Sequence, residues 1–220
     1  MFNDRVKSSH ELDTELLIYL HLDREKTGKN DTLRRFLRRR DKARDLKIDV
    51  SHLYIYLVDD FEELFPNSLY ILTIRYPVDW LRSFIDDSLR RDTSDAFKKF
   101  RDYRFGVGVA HPPEEKALQR RGLFTIGGYL NYWREAVESV TEKIPAERLL
   151  IVHTNKISEQ TAEIARFCGI DGSKVAEERT RSFVNTERFG VLSEIPKEYL
   201  DNIVEEICGP TLERYFAAGF

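Results

Sequence analysis

The spacing of hydrophobic positions along the chain predicts several amphipathic helices. Residues 11–22 carry leucine at intervals of three and four, and residues 32–47 repeat that spacing on a narrow stripe surrounded by arginine and lysine. The same period returns in residues 126–143 and 196–216. Because a stripe of this period lies along one side of an α-helix, each segment is predicted to pack one face against a core.

Continuous apolar runs predict strands between these helices. The strongest run is LYILTI, from Leu69 to Ile74, which is typical of a strand buried on both faces of a parallel sheet. A second run, RLLIVHT, covers Arg148 to Thr154, and the shorter alternating segment LKIDVSH ends at His52. Strands separated by helices over this length predict a single α/β domain with a parallel sheet, extending over residues 1–220.

The charge balance excludes some classes of function. The chain has 35 Lys+Arg and 38 Asp+Glu, a formal net charge of −3, whereas nucleic-acid-binding domains usually carry a basic excess. No apolar run approaches the roughly 18 residues that a bilayer span requires, and the N-terminal residues lack the apolar region of a secretory signal. We therefore expect a cytoplasmic protein with no membrane span and no nucleic-acid partner, and the oligomeric state stays open.

Two other patterns bear on ligands. The basic segment from Arg34 to Lys47 is either a solvated helix face or a surface that steers anions toward a cleft. His111 and His153 have no partners at the spacing of metal ligands, so no metal site is predicted.

The end of the strongest strand carries candidate anion-binding chemistry. Arg75 follows the strand directly, Pro77 suits the first turn of the next helix, and Ser83 lies about two turns into it. The forked guanidinium and the hydroxyl can converge on one phosphate at the carboxyl edge of an α/β sheet. The alternative is that Arg75 only forms an ion pair, for example with Asp79.

The segment LYILTIRYPVDWLRSF resembles the 3′-phosphate-binding motif of the sulfotransferases, and Arg75, Pro77 and Ser83 match that motif residue by residue. These enzymes move a sulfuryl group from 3′-phosphoadenosine 5′-phosphosulfate (PAPS) to a hydroxyl or an amine. The segments GGYLNYWREAVESVTEKIPAERLLIVHTNKIS, AEIARFCGID and SFVNTERFG are similar to family elements in the same order. The resemblance implies a three-layer α/β fold, a parallel sheet flanked by helices, related to the P-loop nucleotide-binding proteins.

The resemblance also implies residues that hold the donor. Arg75 and Ser83 would bind the 3′-phosphate, and SFVNTERFG supplies Arg188 and Gly190 as candidates for the C-terminal loop that returns a basic residue to it. In a later helix, Tyr129 or Trp133 would contact the adenine, the alternative being that both rings pack in the core. PAPS, or its product 3′-phosphoadenosine 5′-phosphate (PAP), is the implied co-substrate, with no metal required.

Two residues are candidates for the base that accepts the acceptor's proton. His52 lies close to the position of the catalytic histidine in cytosolic sulfotransferases, and its imidazole suits proton abstraction at neutral pH. Glu11 stands where carboxylate-using members place their base. The alternatives are a hydrogen-bonded surface histidine beside Ser51 and an ordinary glutamate in a first helical turn.

One family element is absent from the sequence. Sulfotransferases hold the 5′-phosphosulfate with a loop of the form P-K-[ST]-G-[TS]-[TS], and the only glycine flanked by a threonine and a lysine, Gly28, follows charged residues instead of a strand. We therefore expect a chain that starts downstream of this loop, missing the first strand of the sheet, or a degenerate member. The predicted function is sulfuryl transfer to a small-molecule or glycan acceptor; the alternative is a non-catalytic relative that binds PAP or a protein partner.

Overall fold

The structure, a computed structural model, describes residues 6–171 and 188–217. Helices account for 65% of the described residues. The strands in this part of the chain form two separate two-stranded parallel sheets. The expected three-layer fold, with one parallel sheet flanked by helices as in P-loop and sulfotransferase proteins, is therefore wrong.

The strand that ends at Val50 is short because a local hydrogen bond replaces its continuation. The segment LKIDVSH forms a strand only over Ile48–Val50. The Ser51 side chain then accepts a hydrogen bond from the Leu53 backbone N–H, 3.2 Å away, and caps a 3₁₀ helix at His52–Tyr56. Serine is a favoured cap for this reason, and the capped turn replaces the continuation of the strand.

Each sheet pairs strands that are distant in sequence. Strand β1 (Ser8–His10) lies parallel to β2 (Ile48–Val50), with His10 opposite Val50. Strand β3 (Tyr70–Ile74) lies parallel to β4 (Leu149–His153). In both sheets the carboxyl ends of the paired strands meet at one edge, so the residues that follow them become neighbours.

The α-helices of the described residues overlap the predicted amphipathic segments, although the first helix begins at Thr14 and not at residue 11 and extends to Thr27. They are α1 (Thr14–Thr27), α2 (Asp31–Arg44), α3 (Val58–Leu64), α4 (Pro77–Arg90), α5 (Asp95–Phe105), α6 (Lys116–Gln119), α7 (Ile126–Lys143), α8 (Thr161–Phe167) and α9 (Lys197–Phe216). Short 3₁₀ helices lie at His52–Tyr56, Pro113–Glu115, Ala146–Arg148, Thr154–Lys156 and Val191–Glu194. The helix predicted over residues 126–143 is confirmed at both ends, and Pro77 opens α4 as predicted.

The chain divides into two compact units. The first comprises Met1–Ile74 and Ser139–Phe183 and contains both sheets; the second comprises Arg75–Glu138 and Val184–Phe220 and is helical in its described residues.

The first unit has an apolar core on one face of the β3–β4 sheet. Val58, Val140 and Ile144 are buried there, and Tyr70 and Leu72 of β3 pack against them. The alternate positions of the strand are open, since Ile71 is 36% exposed. The prediction that this strand is buried on both faces is therefore wrong. An apolar run identifies a strand, but it does not reveal whether the helices cover one face or two.

The second unit has an aromatic core at the start of α7. Tyr129 is 1% exposed and packs against Phe84, Phe105 and Phe124. Gly128 permits this packing because a β-carbon there would overlap the backbone carbonyl of Phe105.

Adjacent glycines of α7 give a matched test of this packing. We expect Gly128→Ala to destabilise the protein by about 1 to 3 kcal/mol, since backbone atoms cannot move aside. Gly127→Ala is expected to be neutral or slightly stabilising, because its β-carbon would lie 3.9 Å from the methyl groups of Ile203 and Ile207 and alanine favours a helix. Urea unfolding followed by circular dichroism measures both, and equal free energies of unfolding for the two variants would contradict the packing.

Candidate active site

A cluster of polar side chains lies at the carboxyl edge of the β1–β2 sheet. Glu11 directly follows β1 and Ser51 directly follows β2, and the pairing of His10 with Val50 makes them neighbours. The Glu11 backbone N–H donates to the Val50 carbonyl oxygen at 2.7 Å, which extends the contact between the strands by one residue. The parallel register therefore fixes the Glu11 side chain beside Ser51 and His52.

The Glu11 carboxylate accepts three hydrogen bonds from the end of β2. The Ser51 hydroxyl donates to Oε2 at 2.9 Å, and the His52 backbone N–H donates to Oε1 at 2.9 Å. The His52 ring nitrogen Nδ1 lies 2.8 Å from the same Oε1. Sequence reasoning gave Glu11 and His52 as alternative bases. The structure joins them as one hydrogen-bonded pair, which we call the Glu11–His52 pair.

The pair is partly screened from solvent and electrostatically tuned. The side chains of His52 and Glu11 are 33% and 27% exposed. Burial alone would raise the pKa of Glu11, but the hydrogen bonds and charge of His52, with the Ser51 hydroxyl, outweigh it and lower the pKa from 4.5 to about 2. The carboxylate is therefore ionised throughout the neutral pH range and holds the histidine ring in place.

A strained turn aims Glu11 at its partners. Glu11 and Asp13 have φ values of 56° and 60°, in the left-handed region that non-glycine residues avoid. The Thr14 hydroxyl donates to the Glu11 carbonyl oxygen at 2.5 Å and lies 3.2 Å from Glu11 Oε2. Such backbone strain costs on the order of 1 to 3 kcal/mol per residue and is concentrated at functional sites.

Arg40, a buried arginine of α2, stabilises the turn that contains Glu11 and Asp13. Arg40 is 9% exposed. Its guanidinium donates to Asp13 Oδ2 at 3.1 Å and to both carboxylate oxygens of Asp49, so that it links the turn after β1 to the middle of β2. The sequence analysis missed this role. The signal was present, because Arg40 lies at helical spacing from Leu33 and Leu37 on the buried face of α2.

The rest of the basic segment divides between structural and exposed residues. Arg34 donates to Asp60 at 2.7 Å and to Glu63, whereas Arg38 and Arg39 are exposed. The segment is therefore neither wholly a solvated face nor wholly an anion-steering surface.

The geometry of the Glu11–His52 pair suits proton abstraction. When Nδ1–H donates to the carboxylate, Nε2 carries the lone pair that a proton acceptor needs. The carboxylate then stabilises the imidazolium that forms when Nε2 takes a proton, as in hydrolase triads. His52 accepts the proton and Glu11 stabilises the resulting imidazolium, so the two residues act together.

Arg75 and Ser83, the residues predicted to bind the 3′-phosphate of PAPS, lie in the second unit, on either side of the start of α4. Arg75 is exposed and its carbonyl oxygen accepts a hydrogen bond from Trp133 Nε1 at 3.0 Å. Ser83 is half-buried within α4. Their convergence on one anion stays a prediction.

Both candidate adenine contacts, Tyr129 and Trp133, are nearly buried, at 1% and 4% exposed, which favours the core-packing alternative.

Arg188 and Gly190 line a cavity of about 290 Å³ in the second unit. Its walls are formed by Arg82, Ile85, Asp86, Arg188, Gly190, Val191, Leu192, Ser193 and Leu200. Arg188 Nη1 lies 3.3 Å from Oδ2 of Asp86, whose side chain is 3% exposed. Neither Arg75 nor Ser83 contributes to this cavity. Residues 182–187 of the segment SFVNTERFG lie outside the described residues.

Comparisons with family models, curated proteins and solved structures returned no match. Within residues 6–171 and 188–217, no group of three or more His, Cys, Asp or Glu side chains is arranged to hold a metal ion. None of the helices described there is long and apolar enough to cross a membrane.

The stability of the protein should depend on pH through Glu11. The folded pKa is depressed, so its contribution is present above about pH 4.5 and is lost as the pH falls toward 2. We expect Glu11→Gln to lower the free energy of unfolding by about 1 to 3 kcal/mol at pH 7. The gap to the wild type should close as the pH falls below 4.5.

Denaturant unfolding at several pH values measures this gap. Glu15→Gln, at an exposed position of α1, is the matched control and should track the wild type at every pH. A gap between Glu11→Gln and wild type that is constant from neutral to acid pH would show that the carboxylate charge is not involved.

Proposed function

We propose that this protein transfers a sulfuryl group from PAPS to a hydroxyl or an amine of its acceptor, with the Glu11–His52 pair as the proton acceptor. The observation that carries the proposal is the 2.8 Å contact between His52 Nδ1 and Glu11 Oε1. It brings together the two residues that the family resemblance marks as possible bases, in an arrangement in which a carboxylate holds an imidazole for proton abstraction.

The proposed reaction follows from that pair. His52 takes the proton as the acceptor O–H or N–H bond breaks, and the acceptor atom forms a bond to sulfur. The bond between sulfur and the oxygen of the 5′-phosphate breaks, and its electron pair stays on that phosphate, which gives PAP. General-base catalysis of this kind contributes typically about 10² to 10⁴ in rate.

The 3′-phosphate of the donor is assigned to Arg75 and Ser83 from the sequence resemblance alone. Arg75 is exposed and lies two residues before α4, and Ser83 lies within that helix. Arg188, the other candidate for this phosphate, pairs with Asp86 and lines a cavity to which Arg75 and Ser83 do not contribute, so it is not included in the assignment. The sequence has no segment of the form P-K-[ST]-G-[TS]-[TS], so no residue is assigned to the 5′-phosphosulfate.

Calorimetric titration with PAP tests the donor half of the proposal. The wild type should bind PAP, and Arg75→Ala should weaken binding by about tenfold to a hundredfold, the value of one charge-assisted hydrogen bond or two. The matched control is Arg90→Ala at the C-terminal end of α4, where the Arg90 guanidinium pairs with Asp87. Equal affinity of Arg75→Ala and wild type would remove the assigned phosphate site.

Transfer of ³⁵S-labelled sulfate from PAPS to a panel of alcohols and amines tests the catalytic half. We expect His52→Gln and Glu11→Gln each to lower kcat by about 10² or more while PAP affinity stays within twofold of wild type. PAP binding without transfer to any acceptor would contradict the enzyme and support the non-catalytic relative. Transfer that survives in His52→Gln would exclude the Glu11–His52 pair as the base.

A further inference from the structure

Two arginines of α5 differ from the other inward-facing arginines of the protein. Arg24, Arg40 and Arg148 each contact a carboxylate, for example Arg24 Nη1 at 2.7 Å from Asp60. Arg101 and Arg104 have neither a hydrogen bond nor a carboxylate oxygen within 4 Å in the part of the chain that the structure describes. The buried Nε of Arg104 has no hydrogen-bond partner there.

Aromatic rings surround these two guanidinium groups. The central carbon of Arg104 lies 4.1 Å from the ring centroid of Tyr132 and 4.8 Å from that of Phe105. Both arginines lie over the ring of Phe84, at 5.7 Å for Arg101 and 5.6 Å for Arg104. Ring faces attract a cation, but they leave its charge and its N–H donors unsatisfied.

The positive charges of Arg101 and Arg104 repel each other. Arg101 and Arg104 are separated by one helical turn and are both only partly exposed. Burial lowers the pKa of Arg101, and the neighbouring charge of Arg104 lowers it further, although the charge of Asp87 opposes this. An oxyanion placed between the two guanidinium groups would accept their N–H donors and remove the repulsion.

Apolar surface is available beside the pair. Phe84 and Trp80, stacked with centroids 5.4 Å apart, are only half-buried. Half-buried aromatic side chains next to unpaired cations suit a ligand that carries both a ring and a negative charge.

We propose that Arg101 and Arg104 form a binding site for a small organic anion, a carboxylate or sulfonate carried on an aromatic body. The acidic head lies between the two guanidinium groups, and the ring lies on the Phe84 and Trp80 side chains. All of these residues belong to the second compact unit, so the site does not depend on the proposed transfer reaction or on PAP.

Isothermal titration with 1-naphthalenesulfonate tests the site. The wild type should bind it, while the neutral 1-naphthalenemethanol and inorganic sulfate, which carry only the ring or only the head, should each bind at least tenfold more weakly. Arg101→Gln should lower the affinity for the sulfonate about tenfold, the value of one charge-assisted contact. Arg82→Gln, at an exposed arginine paired with Asp79, should leave it unchanged.

Four results would overturn the proposal. Three are an unchanged affinity in Arg101→Gln, equal binding of the neutral alcohol, and absence of sulfonate binding to the wild type. The fourth is displacement of the sulfonate by PAP, because the probe would then occupy the nucleotide site. Thermal unfolding of Arg101→Gln confirms that the variant is folded, and Arg101→Lys, which keeps the charge, should recover part of the affinity.

Discussion

The candidate active site depends on one interaction, the acceptance by Glu11 of hydrogen bonds from Ser51 and His52. Two three-residue strands would not by themselves hold the polar groups that follow them, since pairs of short strands are marginal in isolation. At the edge of the β1–β2 sheet, the carboxylate of Glu11 accepts hydrogen bonds from a side-chain hydroxyl, a backbone amide and an imidazole. The same atoms that stabilise the sheet edge therefore also orient the ring that we propose as the base.

The surroundings of this pair explain how a strained turn persists. Glu11 and Asp13 adopt left-handed backbone conformations, and Arg40 holds Asp13 and Asp49 together from the buried side of α2. Removal of Arg40 would leave the partly buried carboxylate of Asp49 without its counter-charge, which is more costly than the loss of an exposed ion pair. The strain and the buried charge are consistent with a site maintained for chemistry as well as for folding.

The sequence predicted the elements better than their assembly. Residues 126–143 were predictable as α7 because eighteen residues of uninterrupted helical period leave little ambiguity. Glu11 and His52 were identifiable by residue type, but their contact requires two strands to pair across 41 residues of sequence, and no local pattern contains that register.

The errors have related physical causes. LKIDVSH and LYILTI are short runs, and whether such runs join one sheet or two depends on contacts between segments distant in sequence. The role of Arg40 was visible only as a charged residue on a leucine stripe, a pattern that is also compatible with an exposed helix edge. Arg101 and Arg104 gave no signal at all, because the rings that surround them come from four separate positions in the chain.

The tautomer of the neutral His52 ring shows whether Glu11 orients that ring through Nδ1. Two-bond ¹H–¹⁵N correlation spectra of the histidine side chains report which ring nitrogen carries the proton. We expect Nδ1 of His52 to be protonated in the wild type and this preference to be lost in Glu11→Ala. A ring protonated at Nε2 in both proteins would contradict it, since Glu11 would then not orient the imidazole.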